Sequence, residues 1–206
     1  MRIGMFGGSF DPVHLGHLWI GEAAMESLCL DRLHWIPTAQ QPLKPDGAVA
    51  SADQRAEMLR LAIGGREGFH LDLREVRREG VSYSSDTANE LLNENPDAEL
   101  FMIIGSDSLA SMPRWHQPSD LLSKVQLAVV QRGGDPETDF SVLEGLVAPE
   151  RIEQFRGQVI AMPQIELSSR EIRGRVGQGR SIRYRVPNAV AAYIRASGIY
   201  QSSVSD

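Results

Sequence analysis

The sequence predicts an α/β fold: an open, doubly wound, mainly parallel sheet with helices on both faces. Three observations predict it. Apolar runs of strand length alternate with longer helical patterns along the 206 residues. Leu100 to Ile104 is apolar throughout, which suits a central parallel strand covered on both faces. No internal repeat or low-complexity linker interrupts the alternation, so right-handed crossovers follow.

The elements follow in order. Arg2 to Phe6 reads as the first strand and His17 to Leu30 as the first helix. Leu33 to Ile36 is a second strand, closed by Pro37, and a Pro-containing loop runs on to Ser51. Ser51 and Gln54 have capping-box spacing ahead of Met58, Leu59, Leu61, Ala62 and Ile63, so a helix ends at Gly64-Gly65. Phe69 to Leu73 alternates like a strand, and Ser85 or Asp86 caps a helix through Leu92. After Leu100 to Ile104, Val125 to Val130 is another buried strand and Val159 to Met162 a short one. Ser169 to Val176 and Pro187 to Arg195 are helices, the second with proline at its first turn. One domain over residues 1–201 is expected, its C-terminal helical part at about 165–201 packed on the sheet, with 202–206 a frayed tail. In such a Rossmann-like sheet, ligands collect beyond the carboxyl ends of the strands, where strand order reverses. The informative loops therefore follow Phe6, Ile36, Ile104, Val130 and Met162.

Composition narrows the function classes. No stretch approaches the length of a membrane span, and Met1 to Phe10 lacks the pattern of a signal peptide, so the chain reads as cytoplasmic. The single cysteine, Cys29, excludes an intramolecular disulfide and a multi-cysteine zinc site, and its place in the apolar stripe of the first helix predicts a buried thiol. A net charge of −6 argues against binding along nucleic acid. Yet Arg170, Arg173, Arg175, Arg180, Arg183 and Arg185 crowd one segment, opposed there only by Glu171. An acidic chain with one concentrated basic segment suggests a small polyanionic ligand.

The first loop, Gly7-Gly8-Ser9-Phe10-Asp11-Pro12-Val13-His14-Leu15-Gly16-His17, is where such a ligand belongs. Gly7 and Gly8 permit backbone angles closed to other residues and leave room for an anion against helix-start amides. It is not a P-loop, since no Gly-Lys-Ser or Gly-Lys-Thr follows, and not G-x-G-x-x-G, since the third glycine is displaced. His14 and His17 bracket Gly16, so both imidazoles can turn toward the anion that the helix dipole attracts. Zinc ligation is the minor alternative, with only Asp11 nearby and no third histidine.

The stretch Gly8-Ser9-Phe10-Asp11-Pro12-Val13-His14-Leu15-Gly16-His17 resembles the H-x-G-H nucleotidylyltransferase superfamily, and further segments resemble its nicotinate-nucleotide adenylyltransferase family. Pro37, Pro42 and Lys44 resemble the family's loop after the second strand; Ser82-Tyr83 with Asp86-Thr87 resembles its S-Y-x-x-D-T segment. Ile104-Gly105-Ser106-Asp107-Ser108-Leu109 with Trp115 resembles its I-G-x-D-x-L and tryptophan segment. Leu167-Ser168-Ser169-Arg170-Glu171-Ile172-Arg173, with Val186-Pro187 and Tyr193-Ile194, resembles its I-S-S-x-x-I-R segment and terminal helix. Leu43 departs from the family's usual histidine, Arg170 from Ser or Thr, and Ser84-Ser85 from T-I or T-V.

The resemblance implies transfer of an adenylyl group from ATP to nicotinate mononucleotide, giving nicotinate adenine dinucleotide and pyrophosphate. It implies His14, His17 and Arg173 as catalytic, and Gly7, Gly8, Ser9, Phe10, Gly105, Asp107 and Ser168 as ATP-binding. It also implies Lys44, Asp86, Thr87, Trp115, His116 and Arg132 as mononucleotide-binding, with Trp115 as platform for the pyridine ring and the Thr87 and His116 amides near its carboxylate. Mg2+ is expected to travel with ATP, with no metal held by protein residues alone. The expected partners are these small molecules, with no nucleic acid and no membrane; homo-oligomerisation stays open.

The residues carry physical content of their own. Trp115, in a Pro-containing loop, is poorly placed for core packing and offers a face for a pyridinium ring, or else covers core. Asp107 can accept from ribose hydroxyls or cap a helix from Leu109 onward, and Asp86 can bind ligand or cap its own helix. Ser168, Ser169 and Arg173 join hydroxyls, helix-start amides and a guanidinium, while Arg175, Arg180 and Arg183 read as solvated charge. Arg132 stands at the binding edge after its strand. Because a mononucleotide phosphate is already ionised, no general base is needed, and catalysis rests on positioning and charge neutralisation. The amidated mononucleotide, phosphopantetheine, or a nonenzymatic nucleotide-binding module are the alternatives.

Overall fold

The structure, a computed structural model, describes residues 1–42, 47–134 and 136–201. Lys44, Leu43 and the tail 202–206 lie outside the described residues.

Six strands form one parallel sheet: β1 (Arg2–Gly8), β2 (Arg32–Pro37), β3 (Phe69–Leu71), β4 (Glu99–Gly105), β5 (Gln126–Arg132) and β6 (Ile160–Met162), in the order β3-β2-β1-β4-β5-β6. The order reverses between β1 and β4, so the loops leaving their carboxyl ends diverge there. All five pairings are parallel, as buried strands joined by helical crossovers must be.

The two-residue period of a strand decides which face each side chain covers. In β4, Phe101 and Ile103 enter one core cluster, and Leu100, Met102 and Ile104 the other. The first cluster is roofed by α1 (Leu15–Ser27), α2 (Ala52–Ile63), α8 (Ser169–Gly177) and α9 (Asn188–Ser197), through Ala24, Met58, Leu59, Ile172, Val190 and Ile194. The second lies under α4 (Ser84–Glu94), α5 (Ser106–Ser111), α6 (Pro118–Lys124) and α7 (Pro149–Arg156), through Leu91, Leu109, Leu121, Leu122 and Phe155. Ser51 caps α2 with the reciprocal bonds expected of its capping box: Gln54 N–H donates to Ser51 Oγ, and Ser51 N–H to Gln54 Oε1.

Several expectations need correction. The first helix ends at Ser27, and Cys29 is exposed in the turn beyond it. Cys29 has φ +47, its N–H donates to Glu26 O, and Leu30 N–H donates to Met25 O, which is the Schellman termination that glycine usually fills. The turn throws Leu30 into the core and Cys29 outward. Gly7 and Gly8 close β1 with no positive φ; the residue in the left-handed region is Phe10, at φ +47. Neither Ser85 nor Asp86 caps α4, whose N-cap is Tyr83, and Asp107 does not cap α5, whose N-cap is Gly105. Helix α5 starts at Ser106, three residues before Leu109, and α6, α7 and α3 (Arg74–Arg78) were not expected from periodicity. They span only 5 to 8 residues, too short to display one.

Candidate active site

A cleft of about 610 Å³ opens at the carboxyl edge of the sheet beside the reversal of strand order. Ser9, His14 and His17 line it from the first loop, Thr38 and Gln41 from the loop after β2, Arg132 from the end of β5, and Ser168, Arg170 and Arg173 from the start of α8.

The first loop is held from both sides. Asp11 is 3% exposed, and its carboxylate accepts from Val49 N–H at 2.8 Å, Ala50 N–H at 3.0 Å and the Tyr200 hydroxyl at 2.6 Å. Arg55 donates to Ser9 O at 2.9 Å, Arg173 to Asp11 O at 2.6 Å, and Ser169 Oγ to Pro12 O at 2.8 Å. Leu15 N–H, which the new helix leaves without an intrahelical partner, donates to Arg185 O at 2.9 Å. The Asp11 and Pro12 carbonyls are therefore occupied by the C-terminal segment, more than 150 residues away in sequence, and the Ser9 carbonyl by α2.

His14 is the N-cap of α1, and its ring stacks on that of His17 with centroids 3.7 Å apart at 27°. A Cβ at Gly16 would stand 3.1 Å from His14 Nδ1, so the glycine makes room for the buried imidazole. The main-chain N–H of His14 donates to His17 Nδ1 at 3.2 Å. A neutral His17 that accepts at Nδ1 carries its proton on Nε2 and presents an N–H. Both rings are neutral at pH 7. Burial first, then Arg132, lowers the His14 pKa to about 4. Burial, His14 and Arg132 hold His17 well below its usual value.

The basic segment divides. Arg170 and Arg173 line the cleft, whereas Arg175 donates to Ser181 O and Arg185 lies 3.4 Å from Glu171. Ser168 is the N-cap of α8, accepting from Glu171 N–H at 3.1 Å, which leaves its hydroxyl proton free to donate. Arg132 reaches the same cleft across the sheet edge. The Phe10 side chain, 2% exposed, is core: its ring meets Phe6, Trp35 and His17 edge-on or tilted. Gly7 closes β1 with open space where a Cβ would stand, whereas a Cβ at Gly8 would meet the Phe10 ring at 3.2 Å.

The remaining predicted residues among those described do not line the cleft, and a second group forms around Tyr83 and His116. Tyr83 stacks on His116, centroids 4.2 Å apart at 30°. Trp115 is half-buried against the second core cluster, and its indole N–H donates to Ser111 Oγ at 2.9 Å, so it does cover core with part of its surface. The Asp86 carboxylate lies 3.7 Å from Arg78. Thr87 is fully buried; its hydroxyl donates to Glu75 at 2.7 Å and accepts from Arg78 at 3.2 Å, and its amide is bonded to Tyr83 O at 3.3 Å. Burial raises the Glu75 pKa. Gly105 and Asp107 stand at the end of β4, Asp107 exposed and Gly105 with open space where a Cβ would be. The 38–41 segment joins the two groups: Thr38, Ala39 and Gln41 line the cleft, while Ala39 N–H donates to Ser82 Oγ and Ser82 N–H to Gln40 O. Thr38 and Gln41 carried no signal in the sequence, because an isolated polar residue in a loop shows nothing of what it faces.

Comparison with known proteins fits this geometry. The cytidylyltransferase-like family matches residues 5–175. A Rhodopirellula baltica protein named "Probable nicotinate-nucleotide adenylyltransferase" is 49% identical over 97% of this chain and 93% of its own length. A Gemmatimonas aurantiaca protein of the same name is 44% identical over 98% and 93%. Among solved structures, the Plasmodium falciparum nicotinic acid mononucleotide adenylyltransferase complexed with NaAD shares the fold, with TM-score 0.72 at 15% identity and 97% of each chain covered.

Proposed function

The chain belongs to the cytidylyltransferase-like family and, at 49% identity to one relative along nearly its whole length, to the nicotinate-nucleotide adenylyltransferases; from that premise we propose the following reaction at the cleft. The phosphate of nicotinate mononucleotide attacks the α-phosphorus of ATP. The new P–O bond forms in line with the bond to the α,β-bridging oxygen, which keeps the electron pair and leaves with pyrophosphate. The product is nicotinate adenine dinucleotide. A phosphate monoester is mostly dianionic at neutral pH, so the nucleophile needs no general base.

The observation that carries this reading is the set of donors around the cleft. Neutral His14 and His17, the Ser168 hydroxyl, and the guanidiniums of Arg132, Arg170 and Arg173 all border one volume at the strand-order reversal. Such a site stabilises charge that grows on phosphoryl and leaving oxygens. His17 Nε2–H is the donor to the α-phosphate, and Arg173 balances charge beside it. Magnesium enters on the triphosphate as part of the substrate and shields its oxygens. Among the described residues no group of three His, Cys, Asp or Glu is placed to hold a metal. The patch of Tyr83, Trp115 and His116 is the seat of the pyridine ring, reached across the 38–41 segment.

Purified protein incubated with ATP, magnesium and nicotinate mononucleotide should release pyrophosphate and form the dinucleotide in equal amounts. No pyrophosphate above a protein-free control would overturn the reading. Equal specificity constants for the amide mononucleotide would remove the preference for the acid.

A further inference from the structure

The Asp11 carboxylate is buried deep in the protein, yet it faces the cleft edge and meets the far C-terminal end of the described chain. Two loop amides and the Tyr200 hydroxyl donate to it, and Arg173 Nη1 lies 3.5 Å from Oδ2 while donating to Asp11 O at 2.6 Å. Tyr200 makes its bond from a backbone at φ +64, a region that L side chains disfavour. Strain of this kind persists where the surrounding contacts over-determine it. Burial, and then the bond to Asp11, holds the phenol pKa far above its usual value, so Tyr200 is the proton donor at any working pH.

From this geometry we infer that Tyr200 is a positioning residue for the transfer: through Asp11 it fixes the first loop and the Arg173 guanidinium in the alignment the α-phosphate requires. The inference rests on the adenylyl transfer proposed above. The Arg173 side chain is 27% exposed, and both its bond to a main-chain carbonyl and its ion pair are made to Asp11, so its placement follows the placement of that residue. A charge-assisted bond between a phenol and a carboxylate is short and directional, which suits the setting of an angle as well as the holding of a loop. Because Tyr200 donates from behind Asp11, it can steer Arg173 without touching substrate.

Tyr200→Phe removes one oxygen and leaves the ring packed. The expected result is a kcat about tenfold lower, the scale of losing one charge-assisted bond, with KM for ATP and for the mononucleotide each within about twofold. In an Arg173→Lys background the same change should cost nothing further, since the guanidinium it aligns is gone. An unchanged kcat, or a loss that multiplies in full in the double variant, overturns the inference. Asp11→Asn, which keeps one acceptor oxygen for Ala50 N–H and Tyr200 but places an NH2 group where Oδ2 met Val49 N–H and Arg173, should lose at least as much kcat and serves if Tyr200→Phe folds poorly; a wild-type kcat in Asp11→Asn likewise overturns the inference. Wild-type protein without activity would instead mark failure of the proposed reaction.

Discussion

At the scale of single residues, the two histidines show how position alters chemistry. Free imidazoles titrate near neutrality, but burial and Arg132 keep both rings neutral here. If His17 Nε2–H is the transition-state donor, His17→Ala lowers kcat by about 10² to 10³, the scale of one preorganised donor. A variant within about threefold of wild type in steady-state assays would show that His17 is not that donor. The buried His14 also makes stability depend on pH. The unfolded chain takes up a proton near pH 6.5, whereas the folded chain resists until about pH 4. Stability attributable to His14 is therefore whole above pH 6.5 and falls as pH drops from 6.5 toward 4, by about 3 kcal/mol in total. Denaturant midpoints of wild type and His14→Gln across this window should converge as pH falls; parallel curves would refute the assignment.

At the scale of elements, the glycines of the helices are set by their neighbours. Gly21 sits in the middle of α1, where alanine is the better helix former by about 1 kcal/mol. A Cβ there, however, would stand 2.5 Å from Cζ2 of the fully buried Trp35 and 3.1 Å from Phe69. Overpacking of that kind costs about 1 to 3 kcal/mol, so it outweighs propensity. Gly21→Ala should lower the unfolding free energy, while Gly174→Ala in α8, with nothing within 4 Å, should raise it. Urea titrations of the pair would test this, and a stabilised Gly21→Ala would contradict the packing. Much of each element was legible at this scale. The Leu100 to Ile104 run, the capping box at Ser51 and the strand Arg2 to Phe6 all lie in local pattern; the box appears at Ser51 and Gln54 as expected, and the two strands with ends extended by one or two residues. Cys29 was misread because the Schellman turn replaces the helical stripe one turn early, and a cysteine stands where glycine would have announced it.

For the whole molecule, the decisive feature is that two groups of residues, joined by the 38–41 segment, share one edge of the sheet. Trp115 belongs to the patch with Tyr83 and His116, away from the cleft that holds His14, His17 and Arg173. Trp115→Ala should therefore raise KM for the mononucleotide on the order of tenfold to a hundredfold, as expected for a lost stacking face, and leave KM for ATP within about twofold. Equal rises for both substrates would merge the two subsites. By itself the sequence determined the alternation of strand and helix, the loop of glycines and histidines, and the motifs that mark the family, because each is written in neighbouring residues. Only the tertiary structure decided that Asp11 is a buried hub for Tyr200 and Arg173, that Thr38 and Gln41 line the cleft, and that the Thr87 hydroxyl turns inward to Glu75. These partners lie 12 to 189 residues apart where the bonds are direct. Their meeting is set by sheet order and helix packing, and no local pattern carries that information.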